Sequence, residues 1–172
     1  MDKRMHSLML VSAILVVISF FMPWVKVQSQ QIGAASKLLT GKRQADIDSI
    51  SGIDVPIKAN GEDARLAISV MKIFSPNIKD ADKKSFLVFL VPILALAMFL
   101  GYHYKGDNKL VLLLIAIIGI SIFTVGTFKI VTTNMDKLVL NIKIGPGLWT
   151  TFVAYLGMGL TGLTGFIFKI KK

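Results

Sequence analysis

Hydrophobic residues are concentrated in four blocks that are separated by polar segments. The blocks cover residues 7–27, 86–104, 110–128 and 148–168, and apart from Lys26 at the edge of the first they contain no Asp, Glu, Lys or Arg. A helix rises about 1.5 Å per residue, so each block is long enough to cross a hydrocarbon layer of about 30 Å. The pattern predicts four transmembrane helices.

The predicted fold class is therefore an all-α integral membrane protein, a four-helix transmembrane bundle that forms a single domain over residues 1–172. The first two helices are connected by a large outer loop, 28–85, and the last two by a second outer loop, 129–147. The first block is expected to remain as an uncleaved anchor, because its apolar run is longer than that of a usual signal peptide.

Short periodic patterns predict that the outer loops are partly structured. Apolar and polar residues alternate over 46–57 and again over 138–144, which is typical of strands, and the two strands are expected to pair. Acidic residues open a helical pattern over 61–76. Among the prolines, Pro23 is expected to end the first helix and Pro92 to kink the second.

Composition and charge indicate which partners the protein binds. The chain is 53% hydrophobic, with a net charge of +10 and no cysteine. The basic residues flank the apolar blocks and form no stripe interleaved with aromatics, so they predict contact with the lipid bilayer and not with nucleic acid. The absence of thiols excludes disulfides and thiolate metal sites.

Positive charge also predicts the orientation. Lys3 and Arg4, the turn 105–109 and the tail 169–172 lie on one side and are dense in Lys and Arg, which favours cytoplasmic termini in an inner or plasma membrane. Trp24 and Trp149 fall on the opposite side, where they are predicted to anchor the membrane interface.

Small residues predict how the helices pack. Gly157, Thr161 and Gly165 are spaced by four and share one face of the last helix, and Gly119 and Gly126 in the third helix provide a matching surface. Such faces let helix backbones approach closely. Two interpretations follow, packing within the bundle or docking of another subunit.

Two histidines are the candidate cofactor ligands. His6 begins the first helix and His103 ends the second, so both are expected at the same membrane face. A pair of this kind can ligate a haem iron or line a quinone pocket, but the favoured interpretation is two solvated interfacial histidines. The prediction is that the protein has no cofactor and no metal.

The blocks carry no ionisable side chain in their interiors, whereas ion pathways and proton relays in membranes generally need one. No zincin motif, phosphate-binding loop or nucleophile–base pattern is present. The sequence therefore predicts a protein that is not an enzyme.

Three short motifs carry a resemblance: Phe21–Val25 (FMPWV), Ser51–Pro56 (SGIDVP) and Gly145–Trp149 (GPGLW). With the glycine-rich last helix, they resemble small uncharacterised bacterial four-helix membrane proteins, to which no function is attached. The loop arrangement is similar to the topology of claudins, but the first loop lacks the claudin Gly-Leu-Trp signature and cysteine pair, so this resemblance implies no barrier function.

These features together predict a non-catalytic accessory or scaffold subunit of a larger membrane assembly. It would bind other membrane protein subunits through the outer loop and the glycine-rich face. The alternatives are a small channel or transporter and, less favoured, a haem- or quinone-binding redox subunit.

Overall fold

The computed structural model describes residues 3–28, 49–58, 85–106, 108–132 and 141–170. In chain order its elements are α1 (Lys3–Phe21), β1 (Pro23–Gln28), β2 (Ser49–Ser51), α2 (Asp54–Lys58), a 3₁₀ turn (Ser85–Phe89), α3 (Leu90–Lys105), α4 (Lys109–Thr132), β3 (Asn141–Ile144) and α5 (Pro146–Ile170). Helices α1, α3 with its 3₁₀ turn, α4 and α5 are long and apolar enough to cross a membrane, which confirms the four predicted spans. The helix predicted over 61–76 lies outside the described residues.

The first helix is shorter than predicted because the chain changes conformation at Pro23. Helix α1 ends at Phe21, and the Met22 amide donates to the Ser19 carbonyl in a last turn (3.2 Å). Proline has no amide hydrogen to continue the helix, so the end of the block leaves the bundle as strand β1. The prediction that Pro23 ends the helix is confirmed, whereas the helical assignment of residues 23–27 is wrong.

A three-stranded antiparallel sheet caps one end of the bundle, with β1 between β2 and β3. The two strands predicted from the loops are present in shortened form, but each pairs with β1 and not with the other. The β2 strand ends at Ser51, where the Ser51 amide donates to Asp54 Oδ2 (2.9 Å) and the Asp54 amide donates to Ser51 Oγ (3.4 Å). These reciprocal bonds are those of a capping box, and they start α2.

A bulge in β1 lets two consecutive side chains enter the core. The pairing register with β2 shifts between Pro23 and Val25, so Trp24 and Val25 are both buried although strand alternation would separate them. The next residue, Lys26, faces outward. The bulge is what turns the Trp24 ring under the sheet.

Helix α5 lies at the centre of the bundle. It packs extensively against both α4 and α1, whereas α3 packs mainly against α1 and makes fewer contacts with α4. Half of the most apolar window of α5 is buried, against 22–28% for the other three spans. We call the end of the bundle that carries the strands the sheet end, and the end where α3 and α4 connect the turn end.

Pro92 lies in the first turn of α3, directly after the chain changes from 3₁₀ to α-helical geometry at Leu90. The kink predicted at Pro92 stays a prediction, and the structure places this proline near the start of the helix. Short 3₁₀ segments are common at helix termini.

Candidate ligand-binding cleft

Helices α3 and α4 are held together at the turn end. The Asn108 amide donates to the Lys105 carbonyl (2.8 Å), and Asn108 Oδ1 accepts from the Leu110 amide (2.9 Å), which caps the start of α4. Near this turn, a side-chain carbon on Gly101 would lie 3.7 Å from Val111. The two helices are thus in contact where the turn connects them.

At the sheet end a cavity of about 540 Å³ separates the same two helices. We call it the α3–α4 cleft. Its walls come from the start of α3 and the second half of α4, α5 forms its floor, and β1 contributes a residue from the sheet. The residues that line it are Trp24, Leu87, Val88, Leu90, Val91, Leu94, Ser121, Ile122, Val125, Gly126, Leu148, Thr151, Phe152 and Tyr155.

The lining is almost entirely apolar, and most of its polar atoms are already bonded within the protein. The Tyr155 hydroxyl donates to the Val91 carbonyl, which ties the floor to one wall. Thr151 Oγ1 lies 2.7 Å from Ser19 Oγ, and Trp24 Nε1 donates to the Ser19 carbonyl (2.9 Å). The cleft therefore offers shape and apolar surface, with Ser121 as the remaining polar side chain of the lining.

The cleft opens sideways. Leu87, Leu90 and Val125 line it, and each is also well exposed on the outer surface of the bundle. These residues lie within helices that are apolar enough to span a membrane. In a bilayer, the opening between α3 and α4 therefore faces lipid chains.

Close packing with a glycine shapes the floor. A side-chain carbon on Gly126 would overlap the ring of Phe152, so the ring occupies the space beside Gly126. Above it, Gly52 in the turn after β2 packs against the rings of Phe20 and Trp24, at 2.6 and 2.8 Å from an ideal Cβ position. The Ile53 amide donates to the Phe20 carbonyl (3.2 Å). These contacts hold the sheet against the top of the cleft.

Of the predicted packing residues, Gly119, Gly126, Thr161 and Gly165 are buried and Gly157 is half-buried. Gly157 faces Ser12 of α1, whereas Gly165 faces Leu112 of α4, and Thr161 is buried with its hydroxyl bonded to the Gly157 carbonyl (2.8 Å). The three residues therefore serve two different neighbours and form no free docking face. Gly126 packs against Phe152 of α5, as described above.

The close approach of α4 and α5 uses the predicted Gly119 together with two glycines of α5, Gly159 and Gly162, that are outside the predicted face. A side-chain carbon on Gly119 would lie 2.6 Å from the Gly159 amide nitrogen, and one on Gly162 would lie 2.8 Å from the Ala116 amide nitrogen. Gly159 and Gly162 are three residues apart, so a search for spacing by four misses them. Their contacts bring the α4 and α5 backbones together.

His6 and His103 do meet, at the turn end. Their ring centroids are 5.2 Å apart, and both rings also pack against Phe99. Two axial ligands must stand on opposite faces of a haem, and rings in direct contact leave no space for the macrocycle between them. The pair is also at the opposite end of the bundle from the α3–α4 cleft, so it does not line that cavity.

The two tryptophans have different environments. Trp24 is only 3% exposed, with its ring edge-on to Phe20 at 5.8 Å between centroids, so the ring packs inside the protein and its role as an interface anchor stays a prediction. The bulge in β1 turns the ring inward. Trp149 is 40% exposed near the sheet end of α5, where an interfacial position remains a prediction.

Little in the sequence indicates which residues line the cleft. Leu and Val residues that line it cannot be distinguished by residue type from those that face lipid. Tyr155 was missed, although a tyrosine in the middle of an apolar block indicates an internal partner for its hydroxyl. Thr151 is a weaker signal of the same kind.

The chain matches no protein-family model, no curated protein and no solved structure at a significant level. The resemblances to small bacterial four-helix proteins and to claudin topology therefore gain no support. Any functional inference has to rest on the geometry of this chain.

Proposed function

We propose that this protein is a non-catalytic membrane protein that binds a lipid chain in the α3–α4 cleft. The observation that carries the proposal is the cleft itself, an apolar cavity of about 540 Å³ that opens sideways within the apolar spans. Ligand pockets typically measure about 300–1,000 Å³. The cleft is within that range.

The surroundings of the cleft favour a lipid chain as its occupant. An empty cavity deprives its lining atoms of van der Waals partners, and water gains little where the polar groups are bonded elsewhere. The Tyr155 and Thr151 hydroxyls have such partners. A hydrocarbon chain can enter from the bilayer between Leu90 and Val125 and fill the space while the Tyr155 and Thr151 hydroxyls keep their partners.

The chemistry of the described residues supports binding over catalysis. The lining of the cleft carries no Asp, Glu, His, Lys or Arg. Within the described ranges no three His, Cys, Asp or Glu side chains group together as metal ligands would. A channel has less support for the same reason, since transported ions generally need polar or charged groups along the path.

We further propose that the turn end is cytoplasmic, in an inner or plasma membrane. The described basic residues at that end are Lys3, Arg4, Lys105, Lys109 and Lys169, and all lie close to the ends of the spans. Basic residues in short segments favour the cytoplasmic side. Labelling of single cysteines placed at each end, in intact cells, tests this orientation.

An accessory or scaffold subunit is the second candidate. The glycine face is packed within the bundle, so a partner would have to use another surface, and apolar side chains from a neighbouring protein could occupy the α3–α4 cleft in place of a lipid chain. Both candidates involve the same cleft. They differ in whether a lipid or a protein crosslinks to the residues that line the cleft.

The test uses a phospholipid with a photoactivatable group in its acyl chain, reconstituted with the full-length protein. Labelling is expected at the cleft residues of α3 and α4. Val125→Trp, which fills the opening, should lower that labelling, whereas Ile117→Trp, on α4 outside the cleft and similarly exposed (53% against 58%), should not.

Two results would decide against lipid binding. Equal labelling of all exposed helix surfaces, unaffected by Val125→Trp, would show that the cleft holds no preferred lipid chain. In native membranes, crosslinking of the same cleft residues to a protein, with no lipid adduct, would support the accessory-subunit candidate.

A further inference from the structure

Two lysines lie side by side on the outer face of the sheet. In the pairing of β1 with β3, Lys26 is directly opposite Lys143, and both side chains are exposed. Their strand neighbours Val25 and Ile144 are also opposite each other and pack into the core at the sheet end. The lysines therefore point away from that core, toward the outer face of the sheet.

This arrangement is unfavourable without a counter-charge. Like charges directly opposite on one face of a sheet repel each other. Asp54 is the only acidic residue among those described, and its carboxylate accepts from the Ser51 amide and from Ser51 Oγ (2.6 Å). An anion between the two lysines would relieve the repulsion.

The lysine pair is close to the α3–α4 cleft. Trp24 lines the cleft and is only two residues before Lys26 in β1, a separation of about 7 Å along a strand. On α4, Ser121 and Val125 line the cleft, and Lys129 lies one turn further toward the sheet end on the same side of the helix. Positive charge therefore lies near the sheet end of the apolar cavity.

We propose that the lipid in the α3–α4 cleft carries an anionic phosphate headgroup, which binds between Lys26 and Lys143. This inference rests on the proposed function, since it assigns the headgroup of the lipid whose chain occupies the cleft. An apolar cavity at the sheet end, together with a pair of lysines on the sheet that covers this end, matches an anionic phospholipid, with its hydrocarbon tail inside the membrane and its phosphate at the interface. Lysine side chains are long enough to extend toward a headgroup while their stems stay on apolar surface.

The test compares two lipids that differ only in their headgroup. Full-length protein in mild detergent is incubated with phosphatidylglycerol or phosphatidylcholine with identical acyl chains, and bound lipid is counted by native mass spectrometry. The wild-type protein is expected to retain phosphatidylglycerol on the order of tenfold more strongly than phosphatidylcholine.

Three variants separate the headgroup from the chain. The double variant Lys26→Gln/Lys143→Gln should reduce phosphatidylglycerol retention to the level of phosphatidylcholine and leave the latter unchanged. Lys26→Arg/Lys143→Arg should keep the preference, because it keeps the charge. Lys3→Gln/Lys109→Gln, which removes two exposed lysines at the turn end, is the matched control and should also keep it.

The outcomes distinguish this inference from the proposed function. Equal retention of both lipids by the wild type, lowered for both by Val125→Trp, would overturn the headgroup assignment and leave lipid binding in place. Retention of neither lipid would overturn both proposals. An unchanged preference in Lys26→Gln/Lys143→Gln would show that the selectivity comes from elsewhere.

Two further measurements exclude other roles for the lysines. If inorganic phosphate at the concentration of the lipid, and at constant ionic strength, abolishes phosphatidylglycerol retention, the pair recognises a free anion, and the lipid assignment is overturned. If the glutamine variant loses thermal stability in detergent without added lipid while the arginine variant does not, the lysines serve an ion pair of the fold, which also overturns the assignment.

Discussion

The Tyr155 hydroxyl in α5 donates a hydrogen bond to the backbone carbonyl of Val91 in α3. Tyr155 is completely buried, and α3 otherwise packs mainly against α1. The bond therefore connects the central helix directly to one wall of the α3–α4 cleft. It fixes the separation of α3 from α5 near the position where the cleft opens.

Replacing Tyr155 with Phe should weaken this connection. We expect the free energy of unfolding to fall by about 1 kcal/mol, the usual net contribution of such a hydrogen bond, measured by denaturant titration in detergent. Tyr104→Phe is the control, because Tyr104 is 77% exposed and its hydroxyl has no hydrogen-bond partner among the described residues. Equal effects of the two substitutions would contradict the role of the bond.

Gly159→Ala should separate α4 from α5. The added carbon would lie 2.8 Å from the Ile120 amide nitrogen, and backbone atoms cannot move aside as a flexible side chain can. We expect a loss of about 1–3 kcal/mol in the free energy of unfolding.

Gly101→Ala provides the matched control for that substitution. Its added carbon would meet only Val111, at an ordinary 3.7 Å, and alanine favours the helix over glycine by up to about 1 kcal/mol. This variant should be neutral or slightly more stable. A Gly159→Ala protein as stable as the Gly101→Ala protein would show that the two backbones are not in close contact.

Ser19 and Thr151 should contribute cooperatively to stability. Ser19 Oγ lies within bonding distance of the Val16 carbonyl (2.8 Å) and Thr151 Oγ1 within bonding distance of the Gly147 carbonyl (2.9 Å), and the hydroxyls lie 2.7 Å from each other. Two hydroxyl protons cannot serve three contacts at once, so one hydroxyl donates to the other and the second donates to a carbonyl. Loss of either partner changes the bonding of the other.

A double-mutant cycle with Ser19→Ala and Thr151→Val is therefore expected to show a coupling energy of about 0.5–3 kcal/mol. Thr124→Val and Thr164→Val form the control cycle. Both hydroxyls bond to carbonyls of their own helices (2.8 and 2.9 Å), and their changes should add. Additivity in the Ser19–Thr151 cycle would contradict the shared network.

The two tryptophans should differ in their access to a water-soluble quencher. In lipid vesicles, acrylamide should strongly quench the fluorescence of Trp24→Phe, which retains Trp149 (40% exposed). It should only weakly quench Trp149→Phe, because the retained Trp24 is 3% exposed. Similar quenching in both variants would mean that Trp24 is not covered by the sheet.

The four spans follow directly from the sequence because hydrophobicity is a property of each residue, and a run of about 20 apolar residues has few other solutions than a membrane helix. The ends of these helices are less well determined. Residues 23–27 continue the apolar pattern but form a strand, since Pro23 stops the helix and partners from two distant segments, β2 and β3, supply its hydrogen bonds.

Only the tertiary structure decides which face of each helix is internal. Gly159 and Gly165 are the same residue type in the same apolar block, so the sequence alone does not distinguish them. In the structure Gly159 contacts the backbone of α4, whereas Gly165 contacts a leucine side chain. The apolar residues of the α3–α4 cleft are likewise the same residue types that face lipid. The sequence by itself thus determined that the chain forms four membrane-spanning helices, because burial in lipid depends on residue type alone. The cleft, the inward rotation of Trp24 and the meeting of Lys26 with Lys143 depend on register and helix packing between distant segments, which only the folded chain defines.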